Sequence, residues 1–533
     1  MTHTLTQEQR EVIAAEVNIL AVDAFAGTGK TSTLEAFATA RPRARILYLA
    51  FNRSIASAAK ERFPKNVDCR TTHSLAYGNV GKQFSEKLGN ATAHEIGARM
   101  NCTVKRAKSA LEAVSAWLCS VDDEINASHV VSDDDDPAYA AVIVDLAKQV
   151  WQDMSNPRSP VKMPHDGYLK LWVMSRPKLS YDYILLDEAQ DTNPVTLELV
   201  LAQRKHAKLV LVGDRHQGIY SFRKAVNAME TAPADKRVAI TRSFRFGEGI
   251  AAVATRLLQH YKDEQHAVTG RSDIQVKWTV DRRQPYTLLS RTNASLFGEL
   301  ARLVQGSRTV GGIHYVGGFE GYFFGKVLDA YHLWADARDA IRDQAVAKFP
   351  DFGTFRQYGE EANDVEVKAL VKVVEQYTTR IPVIYNALRA AEVPDARAAV
   401  VVATAHKSKG LEWDQVVLTD DFVMVPPDEK SRDNPEKFRE EVNLLYVAIT
   451  RAIRAVELPA SSRDWLLPEG IEQDNEPEVM PEPAAEQEPL NYYQAMERLQ
   501  ALVDANEAGM LPQPLVVTEA RRAISFFHEV TGR

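Results

Sequence analysis

Short apolar runs alternate along this chain with stretches of helical periodicity. Residues 18–23 form an apolar run that meets a Gly-containing loop, and 31–40 then read as a helix. Residues 46–51 are a second apolar run, followed by a helical pattern over 54–63. Residues 183–186 and 208–212 are further candidates for buried strands. Short apolar strands alternating with helices predict a parallel α/β sheet. A second set at 287–290, 400–403 and 415–418 predicts a second α/β module. A mainly helical block interrupts each set. The expected division is a first module from 1–78 and 180–240, with 79–179 inserted. The second module comes from 241–325 and 394–465, with a shorter insertion at 326–393. Residues 466–490 are rich in Glu and Pro, and Glu469 to Pro489 contains no Lys or Arg, which predicts a linker. Amphipathic patterns at 491–507 and 518–530 predict a helical appendage over 491–533.

Bulk properties narrow the class only a little. At 533 residues the chain is too long for one core. Cys69, Cys102 and Cys119 offer no CxxC pair, zinc spacing or disulfide framework, so a reducing compartment is expected. The N-terminus lacks a basic segment followed by an apolar run, and no stretch is apolar for long enough to span a bilayer. The expected location is cytoplasmic, or nucleoid-associated in a bacterium. A net charge of −8 argues against coating nucleic acid through bulk positive charge, but leaves room for a local basic groove. The acidic run Asp133 to Asp136 reads as a solvated loop, because four adjacent carboxylates repel one another without a folded cage around them.

Two segments carry recognisable chemistry. Ala24-Phe25-Ala26-Gly27-Thr28-Gly29-Lys30-Thr31 lies between a strand and a helix. A phosphate cradle needs inward-pointing N–H groups, glycines that permit unusual φ, and a helix N-terminus facing the anion. Lys30 is placed to reach the β- and γ-phosphates of ATP, and the Thr31 hydroxyl to hold Mg²⁺. The first position of the usual G-x-x-x-x-G-K-[ST] pattern is Ala24 here, so the pattern fails by one residue. The second segment is a strand ending in Asp187-Glu188-Ala189-Gln190-Asp191. Asp187 is the candidate Mg²⁺ ligand and Glu188 the candidate general base for the attacking water. Alone, an acidic pair after a strand fits a solvated edge equally well. Downstream of a phosphate loop, it predicts nucleotide hydrolysis.

The order and wording of these and further segments resemble the UvrD/Rep/PcrA family of superfamily 1 DNA helicases. Within it they are similar to the helicase core of the F-box DNA helicases, through Leu47 to Ala56. No F-box is expected, because the motifs begin at Leu5. The resemblance covers roughly residues 5–458 and implies two RecA-like P-loop domains. Ala24 matches the family's habit of an Ala at that position. The resemblance further implies that Gln9 reads the adenine edge, that Ala26, Gly27, Thr28, Gly29, Lys30, Thr31 and Ser32 cradle the phosphates, and that Phe244 packs on the adenine. Gln217 would sense the γ-phosphate, Arg245 and Arg451 would contact it from the second module, and Glu412 would lie at the nucleotide. DNA contacts are implied for Phe51, Asn52, His73, Tyr220, Phe222, Arg223 and His406. The family usually carries Trp where Phe222 stands. The function implied is 3′→5′ translocation on single-stranded DNA and unwinding of tailed or forked duplexes, with ATP and Mg²⁺ as cofactors and a protein partner for the C-terminal tail. The alternative is an ATP-driven DNA clamp or protein-displacing remodeller, such as an anti-recombinase, that unwinds little. The shortness of 326–393 bears on that choice, because in relatives this insertion influences unwinding and self-inhibition.

Overall fold

The computed structural model describes residues 4–131, 136–220, 227–305, 312–361 and 364–467. The linker and appendage expected at 466–490 and 491–533 lie outside the described residues from 468 onward, and so does most of the acidic run.

Two parallel sheets organise the described chain. The first has six strands: β1 (Ile19–Ala24), β2 (Ile46–Ala50), β3 (Val67–Thr71), β4 (Tyr183–Leu186), β5 (Lys208–Gly213) and β6 (Lys236–Ile240). Their spatial order is β3-β2-β4-β5-β1-β6. After a small parallel pair, β7 (Arg242–Gly247) and β8 (Thr269–Arg271), the second sheet is built from β9 (Tyr286–Ser290), β10 (Ile313–Tyr315), β11 (Val400–Thr404), β12 (Trp413–Leu418) and β13 (Ala452–Glu457). Its order is β10-β11-β9-β12-β13. Every residue of β1, β2, β9 and β11 is buried, as expected for parallel strands covered on both faces.

Register places the chemistry. Asp23 of β1 pairs with Gly213 of β5, and Leu186 of β4 pairs with Leu211 of β5. The loops leaving β1, β4 and β5 therefore emerge side by side at the carboxyl edge of the sheet, where ligands of open α/β sheets bind.

The two helical blocks relate differently to their sheets. Within 79–179, the helices Val104–Leu118 and Pro137–Ser155 pack on each other around Ala110, Val114, Trp117, Ile143 and Val150, a core of their own. Within 326–393, Val327, Leu370, Val374 and Leu388 instead share one core with Phe297, Leu300, Val400 and Val402 of the second module. Between the modules, Phe25, Ala26 and Ile219 of the first are buried in one cluster with Leu445, Tyr446 and Val447 of the second. No helix among the described residues is long and apolar enough to cross a membrane.

Candidate functional site: a nucleotide cleft between two modules

The loop after β1 has the shape of a phosphate cradle. Gly27 and Gly29 adopt φ of +74° and +79°, a region open to glycine. Gly29 caps the helix Lys30–Thr39 without any side-chain hydrogen bond, so the first-turn N–H groups and the helix dipole face the loop. Strand β7 closes over it: the Phe244 amide donates to the Gly27 carbonyl at 2.8 Å. A Cβ at Gly27 would lie 2.7 Å from that of Arg245 and collide with the Ser243 hydroxyl. Any side chain there would push β7 away. Gln9 is held by a reciprocal capping box with Thr6, and its amide nitrogen donates to the Thr28 carbonyl at 3.3 Å and the Thr33 hydroxyl at 3.0 Å. Gln9 and the Phe244 ring thus flank Gly29.

The carboxylates after β4 face this loop. Asp187 is buried, accepts the Tyr48 hydroxyl at 2.5 Å and accepts the Glu188 amide at 2.9 Å. Burial, with Glu188 beside it, pushes its carboxyl up to about 6, against the pull of Tyr48 and Lys30. Glu188 sits at φ +51°, an uncommon backbone for a non-glycine residue that turns the chain sharply after the strand. Burial opposes its ionisation too, but Lys30, Lys409, Gln190 and Arg451 outweigh that effect and hold it below the usual carboxylate range. A buried, raised carboxylate next to a partly exposed one suits a cation. Mg²⁺ typically takes one or two carboxylates plus substrate phosphates rather than an all-protein cage. No cluster of three or more His, Cys, Asp or Glu fit to hold a metal occurs among the described residues. Asp187 and the Thr31 hydroxyl have the right chemistry for such a shared site.

The second module supplies the opposite wall. Arg451 is 1% exposed, and its guanidinium donates to the carbonyls of Val447 at 2.9 Å and Leu411 at 3.1 Å. Burial and the neighbouring Arg245 depress it to about 9, while Tyr446, Glu188 and Asp214 favour its charge. Arg245 donates to Glu412 at 2.5 Å and to the Thr450 carbonyl at 3.1 Å. Gln217 donates to Asp214 at 2.7 Å, on the edge of the same cleft. Ser32 lies on the outer side of its helix and accepts from Arg62 at 3.1 Å.

Some site residues carry no signal of their own in the sequence. Lys409 donates to Asp191 and, at 2.6 Å, to the Gln217 carbonyl, which joins the two modules. Burial pushes Asp191 up to about 6 despite that partner. Gln190 bonds Glu188 at 2.6 Å and accepts the Asp214 amide at 3.1 Å. Tyr48 stands in an apolar strand, where only the structure reveals that its hydroxyl meets a carboxylate. Nothing in the sequence around Lys409 and Tyr446 tells which of several polar residues points across the cleft.

The residues expected at DNA divide into groups. Phe51 is 44% exposed and stacks on Tyr220, with ring centroids 6.0 Å apart and planes 10° apart. The Tyr220 ring lies 6.2 Å from His406, and the Lys409 ammonium sits 5.1 Å from its centroid. These rings form one row across the two modules. Asn52 instead caps the helix Arg53–Arg62 by accepting the Ile55 amide. His73 pairs with Asp166 at 2.9 Å and packs edge-on against Tyr168, both in the block 79–179. Phe222 and Arg223 lie outside the described residues.

Comparison with known proteins fits this geometry. The AAA domain family matches residues 9–223, and the UvrD-like helicase C-terminal domain matches 332–458. The chain belongs to the UvrD-like helicases. It is 33% identical over 511 residues to the F-box DNA helicase 1 of Gallus gallus, covering 87% of this chain and 50% of that protein. It is 30% identical over 509 residues to the F-box DNA helicase protein 1 of Schizosaccharomyces pombe, covering 85% of this chain and 57% of the relative. This UvrD-like chain therefore spans about half the length of the curated relatives it matches.

Proposed function

We propose that the chain is an ATP-dependent DNA helicase that translocates 3′→5′ on single-stranded DNA. In this reading the chain divides into a P-loop module, a second RecA-like module and two insertions, as expected from sequence. The observation that carries this reading is the charge around Glu188. Lys30 reaches it from the first module, and Lys409 and Arg451 reach it from the second. A general base whose ionisation depends on cations from both modules works when they are closed. Arginines from the second module would stabilise charge developing on the transferred phosphoryl group. Bound Mg²⁺, held by Thr31 and Asp187, would supply charge neutralisation at the phosphates. Closing and opening with the nucleotide would then be felt by Phe51, Tyr220 and His406, which lie across the same seam. Aromatic stacking suits such a track, because every base presents a π-face. DNA as the track is supported by both relatives being DNA helicases by name.

Lys30→Ala should abolish DNA-stimulated ATP hydrolysis while leaving single-stranded DNA binding largely intact, and retained turnover would overturn the site. Strand displacement on duplexes with 3′, 5′ and forked tails tests activity and polarity together. A second reading, a DNA clamp or protein-displacing remodeller, draws on the fusion of 326–393 into the second module's core. Hydrolysis without displacement on any tailed duplex would favour it.

A further inference from the structure

One hydroxyl ties three parts of the cleft together. Tyr446 is 0% exposed and lies in the helix Pro435–Ile449, five residues before Arg451. Its hydroxyl crosses to the first module and makes two bonds of opposite sense. It accepts the Ala26 amide of the phosphate loop at 3.1 Å, and it donates to Asp214 Oδ2 at 2.9 Å. Asp214 Oδ2 also accepts the Gln217 side-chain amide at 2.7 Å, and Oδ1 accepts the His216 amide at 3.0 Å. Burial, with Asp214 alongside, keeps the phenol protonated and able to donate. The ring is fixed on both sides, by the shared core with Phe25 and Ala26 and by an edge contact to His216, with centroids 6.2 Å apart.

We propose that Tyr446 is a positioning residue that makes the shape of the phosphate loop depend on docking of the second module. This rests on the ATPase reading above. The helix that carries Tyr446 leads directly into Arg451. The same docking that brings the arginine to the cleft also orients the Ala26 amide and, through Asp214, the Gln217 side chain. Without the second module's helix, Ala26 loses its acceptor and Asp214 loses one of its donors. Arrival of the finger and completion of the cradle become a single event. Hydrolysis in a half-closed state is thereby suppressed from both sides.

Tyr446→Phe removes the hydroxyl and keeps the ring. The first readout needs no nucleotide: hydrogen–deuterium exchange of the Ala26 amide, followed in a peptide spanning residues 25–31 of the full chain. Loss of one buried acceptor should speed that exchange roughly tenfold, while amides of the helix Val104–Leu118 stay unchanged. The second readout is the split between binding and turnover. A fluorescent ATP analogue should bind Y446F within about threefold of wild type, whereas DNA-stimulated kcat should fall roughly tenfold or more. Unchanged exchange at Ala26, or an equal loss of binding and kcat, would overturn the assignment. So would loss of the fold itself, which would make the hydroxyl structural. If the wild-type chain hydrolyses no ATP on any DNA, the ATPase reading fails, and the exchange result still decides whether Tyr446 holds the loop.

Discussion

Asp187→Asn should make this protein more stable and inactive together. The reason lies in where Asp187 sits. In the folded chain its carboxyl titrates at about 6, against 3.8 for an ordinary Asp. A folded value above the unfolded one means that the ionised group costs stability at neutral pH. The cost is full above the folded value, is relieved as pH falls through it, and is gone below the unfolded value. The difference of about 2 units corresponds to roughly 3 kcal/mol. Asn is neutral throughout. It retains one acceptor oxygen for the two donors that Asp187 now satisfies, the Tyr48 hydroxyl and the Glu188 amide. Losing one such bond costs about 1 kcal/mol. The net gain is about 2 kcal/mol at pH 8, and it should shrink to nothing or reverse between pH 6 and pH 4, where the wild-type carboxyl protonates by itself. The assay is urea unfolding in EDTA, followed by fluorescence, since Trp172 lies in the core that includes Leu186 and Ala189 just beside the site. ATP hydrolysis by the same variant should fall at least a hundredfold, because the carboxylate proposed to hold Mg²⁺ is gone. A midpoint that is unchanged or lower at pH 8, or a gain that does not vary with pH, would refute the reasoning. Destabilising groups retained at active sites are the general form of this trade-off.

Two further outcomes follow from the seam between the modules. Lys409→Met removes one of the cations that hold Glu188 low and leaves Asp191 buried without its partner. The acid limb of the kcat–pH profile should therefore move to higher pH, and a profile that keeps its acid limb would separate Lys409 from Glu188. Tyr220→Ala removes the ring between Phe51 and His406, so single-stranded DNA affinity should fall about 5- to 150-fold, equally for homopolymer and mixed sequence, as expected for a lost stack. Filter binding or anisotropy measures this, and a loss confined to one base composition would argue for edge recognition instead.

The strands legible in the sequence and those that were not divide on a physical line. The seven apolar runs became β1, β2, β4, β5, β9, β11 and β12, with ends shifted by one or two residues. All seven lie inside their sheets. The edge strands β3, β6, β10 and β13 carried no such signal. An edge strand is covered less completely, so it tolerates Asp68 and Arg70 in β3, Lys236 and Arg237 in β6, and Arg454 in β13, and it can be as short as the three residues of β10. The site shows a similar split. Residues on the glycine loop and at strand ends, such as Lys30, Asp187 and Glu188, announce themselves through local pattern. Lys409 and Tyr446 act on partners about 200 or more residues away, and only the docking of one module on the other selects them.

The two insertions differ in how firmly they are held. Within 79–179, the helices Val104–Leu118 and Pro137–Ser155 enclose a core of their own and can shift with their apolar residues covered, whereas Phe84, Met163, Tyr168, Leu169 and Trp172 anchor the rest of that block in the first sheet's core. Residues 326–393 lack that freedom. Val327, Leu370, Val373, Val374 and Leu388 are buried against Phe297, Leu300, Val400 and Val402. Lifting the block away would expose at least five aliphatic side chains, at about 1.5–3 kcal/mol each. That sum, of order 10 kcal/mol, is as large as the whole stability of a typical domain. The block must therefore move as one with β9 and β11. Relative movement of the modules is then left to the seam itself, where an apolar contact of Phe25, Ala26 and Ile219 with Leu445, Tyr446 and Val447 is bordered by polar bonds: Lys409 on Asp191, Tyr446 on Ala26 and Asp214, and the Phe244 amide on Gly27. Each polar bond joins a group on the side of the phosphate loop to a group beyond it and can be broken and remade singly, while full separation would also expose the small apolar contact around Phe25 and Ile219.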